Sequence, residues 1–164
     1  HCGSRPTVAA IQAKVHCQRH LRLCEEQIER LGIKIEIEDF PADLTIACQP
    51  TQISQILINT INNSRHAVET ESEKWIKIEI ESDNDYVTFS IRDSGQGISK
   101  ELQDKIMEAY FTTKEKGVGT GLGLSVSQKI AKAHGGNFWL DKECENTRFR
   151  WSIHRVAPDT AKAS

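Results

Sequence analysis

The chain has 164 residues, of which 38% are hydrophobic and 27% charged, and a formal net charge of −2. That is enough for one domain with a proper core, and the balance excludes a disordered chain, a basic nucleic-acid-binding face and an acidic tail. No apolar run approaches the roughly 18–20 residues of a membrane span, and no short apolar segment follows a basic amino terminus as in a signal peptide, so a cytoplasmic domain without membrane contact is expected.

The opening "HCGSRP" (1–6) resembles a tag remnant more than folded sequence. Thr7 to Leu31 reads as a helix with Ala10, Val15, Leu21, Leu23, Ile28 and Leu31 as its apolar members and Gly32 as its stop. His16 and His20 read as ordinary surface positions on it. Ile33, Ile35 and Ile37 alternate with charged residues as in a half-buried strand, and Leu44 to Cys48 reads as a second strand. Pro50 opens a long helix to about Glu71, with Ile53, Ile56, Leu57, Ile61 and Val68 three or four apart. Trp75 to Ile80 and Tyr86 to Ile91 alternate again and predict an antiparallel hairpin. A glycine turn, "RDSGQGIS", is followed by a short helix near Glu101 to Met107 and a polar stretch, Thr112 to Thr120. The last helix is predicted over Leu122 to His134, stopped by Gly135 and Gly136, and the strands Asn137 to Leu140 and Thr147 to Ile153 complete the chain. Paired strands with helices between the pairs predict an α+β fold: a two-layer α/β sandwich, one mixed sheet with helices on one face. The five cysteines, Cys2, Cys17, Cys24, Cys48 and Cys144, are odd in number and form no C-x-x-C pair. They read as free thiols in a reducing compartment.

Three features carry chemistry. Asn59 and Asn63 stand one turn apart on a helix, with Asn62 and His66 near the same stripe. Two asparagines there make either a solvated polar face or, since a carboxamide oxygen is a neutral hard ligand, a place for Mg²⁺ that also binds phosphates. Asp93, Gly95 and Gly97 follow a strand, and the Asp is either a turn-former or a buried acceptor for an exocyclic amine such as adenine's. The glycines Gly117, Gly119, Gly121 and Gly123 run into a helix, where free amides and the helix dipole make an anion site; a flexible linker is the plainer alternative. The spacing fits neither a P-loop nor a dinucleotide fingerprint.

Taken in order, "QILINTINNSRHAV", "DSGQGI", "YFTTK" and "GVGTGLGLSV" resemble the N box, first glycine box, F box and second glycine box of the ATP-binding catalytic domain of sensor histidine kinases. This is the superfamily of gyrase, heat-shock chaperone and mismatch-repair ATPases, with the Bergerat-type fold. The similarity spans about Ile33 to Ile153, and "HGG" before a strand also agrees. The resemblance implies that Asn63 holds Mg²⁺ and that Asn59 lines the phosphate site, the two forming the catalytic pair. It further implies that Asp93 reads adenine beside Gly95, Gly97 and Ile98. Gly119, Thr120, Gly121, Leu122, Gly123 and Leu124 would flank the phosphates, Phe111 would take the F-box aromatic position, and Thr113 and Lys114 would approach the nucleotide from a lid. His66 falls where relatives often carry Lys or Asp and is a candidate phosphate contact. Met107 and Ala109 replace the usual Phe and Pro of the F box, Ser64 the usual Ala of the N box, and Gln49 the acidic residue before Pro50. Residues 7–31 would connect to a histidine-containing dimerisation domain, 32–155 would be the catalytic domain and 156–164 a tail. None of the six histidines has the phosphoacceptor context. ATP and Mg²⁺ are the implied ligands, a response regulator the downstream partner, and a homodimer the implied parent. An anti-sigma-type serine kinase and a non-catalytic nucleotide-responsive module remain alternatives.

Overall fold

The computed structural model describes residues 9–41, 43–112 and 121–156. The elements in order are β1 (Ala9–Gln12), α1 (Ala13–Arg30), β2 (Lys34–Ile37), β3 (Thr45–Cys48), α2 (Pro50–Ala67) and β4 (Trp75–Ser82). There follow β5 (Tyr86–Asp93), α3 (Lys100–Gln103), α4 (Gly123–Ala133), β6 (Phe138–Leu140) and β7 (Arg148–His154). The main sheet has the order β2-β4-β5-β7-β6, parallel at β2–β4 and antiparallel elsewhere. It is the mixed sheet expected, with the hairpin β4–β5 at its centre.

Alternation decides which side of that sheet is dry. Ile76, Ile78 and Ile80 of β4, Val87, Phe89 and Ile91 of β5, and Phe149, Trp151 and Ile153 of β7 all point to the buried face. They meet across the strands as Ile78↔Ile91, Ile80↔Phe89 and Phe89↔Trp151. The Phe89 and Trp151 rings stack at 5.2 Å between centroids. Large side chains buried in this way each contribute roughly 1.5–3 kcal/mol of transfer free energy. α2 and α4 pack against this layer through Ile53, Ile56, Leu57, Ile61 and Ala131, all buried. The opposite face is covered by long charged side chains lying along it: Lys77 pairs with Glu79 at 3.5 Å, Arg150 pairs with Glu81 at 2.9 Å, and Arg150 also lies over the Trp139 ring at 5.6 Å. Such stems exclude water from the sheet while their heads stay solvated.

The amino-terminal expectation needs correction. Thr7 and Val8 lie outside the described residues, and Ala9–Gln12 is a strand, paired antiparallel with β3 in the register Ala9↔Cys48 to Gln12↔Thr45; the helix begins only at Ala13. Local propensity favours helix in this alanine-rich stretch, but β3 presents an edge whose backbone groups need partners, and the long-range ladder prevails. The small sheet also touches the end of β7, where the Val156 N–H donates to Thr45 O at 2.9 Å. The buried stripe of α1 is Ala13, Cys17, Leu21 and Ile28, whereas Val15, Leu23 and Leu31 are 47%, 74% and 49% exposed. Cysteine supplies a core position that the apolar pattern had not counted. Gly32 does end the helix, at φ +73°, with its N–H donating to Glu29 O at 2.9 Å and that of Ile33 to Ile28 O at 3.2 Å. This is the doubled hydrogen-bond closure that a left-handed glycine permits.

His16 and His20 also depart from the surface reading. Both direct Nε2 at Ser54 Oγ on α2, at 3.1 and 2.8 Å, while the Ser54 hydroxyl donates to Pro50 O at 2.7 Å. With its one proton so used, the serine oxygen accepts from both rings, and α1 is fastened to the first turns of α2.

Candidate nucleotide site

A cavity of about 700 Å³ opens between α2, the turn after β5, the α3 segment and the start of α4. Its size suits a drug- or nucleotide-sized guest. Of the residues singled out in the sequence, Asn59, Asn63, His66, Asp93, Gly97, Ile98, Phe111, Gly121, Gly123 and Leu124 line it. Gly95 and Leu122 are not among the lining residues. Thr113, Lys114, Gly119 and Thr120 lie outside the described residues, as do Gly117 and residues 157–164. Asn62, near the same stripe in the sequence, lines it as well, and the structure adds Arg65, Ala67, Ser99, Leu102, Ile106, Thr112, Thr147 and Phe149 to the wall. Arg65 and Thr147 belong to no glycine or asparagine pattern, and only the pairing of β5 with β7 brings Thr147 beside Asp93, whose N–H donates to Thr147 O at 3.0 Å.

Asp93 closes β5 and is 1% exposed. One carboxylate oxygen accepts the Gly95 N–H at 2.9 Å. A Cβ on Gly95 would come within 2.8 Å of that oxygen and 3.2 Å of the Ala67 Cβ, so Gly95 lets the turn fold tightly onto the carboxylate. Burial pushes the Asp93 carboxyl up to about 6, against the Gly95 amide and the Ser64 hydroxyl, which favour the charged form. The Ser64 hydroxyl is buried and finds no hydrogen-bond partner of good geometry beside that carboxylate, so its pull is weak. The cavity that Asp93 lines also carries the apolar side chains of Ile98, Leu102, Ile106 and Phe149 in its wall. A half-satisfied carboxylate in a greasy recess is a strong acceptor for a planar N–H donor.

At the other end the Asn59 carboxamide faces the start of α4. Asn59 Nδ2 donates to Gly123 O at 3.2 Å and lies 3.4 Å from Ser127 Oγ, while its oxygen accepts from Gln55 Nε2 at 3.0 Å. Asn59 is therefore a clamp between α2 and α4 as well as part of the wall. Asn63, one turn on, is half-buried and lines the cavity. The two helices are joined again at their far ends: the N–H of Gln49, the residue capping α2, donates to His134 Nε2 at 3.0 Å, and His134 Nδ1 donates to Ile130 O at 2.8 Å. Those partners fix the tautomer of a neutral ring.

The glycines divide their work differently from the sequence expectation of phosphate approach at both Gly121 and Gly123. Gly121 has φ +70°, and a Cβ there would meet the Tyr110 backbone at 2.3 Å; the Tyr110 N–H in turn donates to Gly121 O at 2.9 Å. Its missing side chain makes room for the turn at Tyr110 of this chain. At Gly123 the nearest atoms to a Cβ would be those of Asn59 at 3.8 Å, an ordinary contact, so the backbone there stays open toward the cavity.

Among the described residues no group of three or more His, Cys, Asp or Glu could hold a metal ion. A carboxamide such as that of Asn63 fits a cation that shares its shell with phosphates and water, and an all-protein cage is absent from the described residues.

A family profile described as "Histidine kinase-, DNA gyrase B-, and HSP90-like ATPase" matches residues 48–157. The chain belongs to this family. Within it, the chain is similar to the nucleotide-free catalytic domain of histidine kinase ThkA, at 33% identity and a TM-score of 0.81 over 91% of this chain and 96% of that one. It is also similar to ThkA in complex with response regulator protein TrrA, at 29% identity and a TM-score of 0.77, over 91% of this chain and 42% of that one. Sporulation kinase E of Bacillus subtilis (strain 168) is 35% identical over 107 residues, which are 65% of this chain and 14% of that protein. The chain thus spans a small part of the length of that relative. Its fold and family are those of a histidine kinase ATP-binding catalytic domain. No described helix is long and apolar enough to cross a membrane.

Proposed function

We propose that this domain binds Mg²⁺-ATP in the cavity and transfers the γ-phosphoryl group to a histidine on a separate dimerisation domain, from which a response regulator receives it. The supporting observation is the polarity of the cavity: a buried carboxylate, Asp93, in an apolar recess at one end, and carboxamides beside the amino terminus of α4 at the other. Adenine fits the first, its exocyclic amine donating to Asp93 and its ring lying against Ile98 and Phe149. Phosphates fit the second, where the first-turn amides of α4 lack intrahelical acceptors and carry the positive end of the helix dipole. Asn63 would hold Mg²⁺, which would supply positive charge to offset that of the phosphates. Asn59 keeps α2 and α4 at the separation the phosphates need. Phosphoryl transfer asks the protein mainly for placement and charge neutralisation, so these roles suffice for catalysis once the acceptor is presented. Ile98, Phe111, Gly97 and Leu124 complete the binding wall, with Thr113, Lys114, Gly119 and Thr120 as lid contacts. The parent kinase would act as a homodimer with this domain in the cytoplasm.

The test has two arms. Mg²⁺-ATP at 100 times its Kd should raise the unfolding free energy by about 2.7 kcal/mol, and no shift would sink the nucleotide reading. Mixing the domain with a histidine-bearing hairpin domain of a relative should give an acid-labile phosphoprotein. An acid-stable one would assign a hydroxyl acceptor and the serine-kinase alternative.

A further inference from the structure

Among the described residues Arg65 is the one lysine or arginine on the cavity wall. Spacing alone hides it, because positions two apart on a helix do not face the same way, and the stripe that carries Asn59 and Asn63 continues to His66 instead. Arg65 also borders a smaller groove of about 140 Å³ between α1 and α2, beside Asn62 and Ile58. Its long side chain nevertheless reaches back: Nη2 stands 3.3 Å from His66 Nε2. A guanidinium can only donate, so the imidazole accepts there and is neutral, with no proton on Nε2 to offer a phosphate oxygen. The other ring nitrogen, Nδ1, lies 3.9 Å from a Glu69 carboxylate oxygen. One contact to His66 uses one of five guanidinium donors, and the planar fork suits two oxygens of one phosphate.

We propose that Arg65, and not His66, is the cation that grips the polyphosphate of the nucleotide, with His66 holding the guanidinium over the cavity as a positioning residue. The inference rests on the nucleotide reading of this site and adds a residue to it.

The experiment is isothermal titration of the purified chain and of R65Q, R65K and H66Q with ATP and with adenosine, in Mg²⁺ at two ionic strengths. R65Q should weaken ATP about tenfold, equivalent to about 1.4 kcal/mol, while adenosine affinity stays within about twofold. R65K should retain part of the ATP affinity, and H66Q should lose less than R65Q. The salt dependence of ATP binding should be shallower in R65Q, since one screened contact is gone. Unchanged ATP affinity in R65Q overturns the inference, as does equal loss for ATP and adenosine, which would mark a structural role. A larger loss in H66Q than in R65Q overturns it too. Failure of the unsubstituted chain to bind ATP removes the nucleotide reading itself and this inference with it.

Discussion

Burial moves two groups in opposite directions, the Asp93 carboxyl up to about 6 and the His16 imidazole down to about 4. For His16 burial is the largest cause, followed by the charges of His20 and Arg19. The consequences for stability have opposite signs. Unfolded His16 binds more protons than folded His16 between about pH 4 and its ordinary value, so its contribution falls as pH drops through that window. Folded Asp93 binds more protons than unfolded Asp93 between its ordinary value and about pH 6, so its contribution falls as pH rises there. Chemical denaturation across pH 4–7 should therefore show H16Q with a reduced loss toward acid, and D93N stabilised at pH 7 by up to about 3 kcal/mol yet poor in adenine binding. If D93N were no more stable than the unsubstituted chain at pH 7, Asp93 would not be carrying the cost of burial. At this scale the sequence was informative where a residue type has few uses, as with an Asp between a strand and two glycines. It was silent on Arg65, because the reach of a long side chain is not encoded in spacing. Gly121 was legible as a required glycine but not its reason, since the crossing backbone of Tyr110 comes from eleven residues away along the chain.

At the scale of elements, α2 and α4 form one side of the site and are fastened at two places, Asn59 to Gly123 and Gln49 to His134. His134 closes its own helix, α4, and caps α2, so removing it orphans the Gln49 donor at the start of α2 without opening the cavity. His134→Ala should cost about 1 kcal/mol, the net worth of a part-buried hydrogen bond, and should speed amide exchange at Gln49 more than at Ile61. Uniform acceleration at both amides would argue against a local clamp. The periodicities of α2, α4 and the β4–β5 hairpin were readable because each has a dry face and a wet one, and their ends fell within a few residues of the glycines and the proline. α1 was harder. Its inner stripe uses Ala13 and Cys17, which apolar counting undervalues, and three of its conspicuous hydrophobics face water.

For the whole molecule, the order of helices and strand pairs carried the α+β sandwich, because neighbouring antiparallel strands and crossing helices leave few arrangements. The second, two-stranded sheet was not readable. β1 and β3 are separated by an entire helix and a strand, and nothing local marks Ala9–Gln12 as the partner of Thr45–Cys48. Deleting residues 1–12 should lower the melting temperature, since the β3 edge loses its ladder, but should leave the Mg²⁺-ATP Kd within about threefold because the cavity wall begins at Asn59. A loss of binding in proportion to stability would mean the small sheet shapes the site.

The same sheet determines how force enters the domain. A helix continued back to Thr7 would pass on twist about its own axis. A strand paired antiparallel to β3 instead sets Ala9 opposite Cys48, the residue that leads into Gln49 and α2, in a ladder that runs on to Gln12↔Thr45. β3 runs directly into Gln49 and the first turn of α2, so a tug on the amino-terminal side of the chain is delivered to the helix that carries Asn59 and Asn63. Its anchor there is the imidazole of His134. The amino-terminal strand is thus joined edgewise to the strand that leads into the helix carrying Asn59 and Asn63.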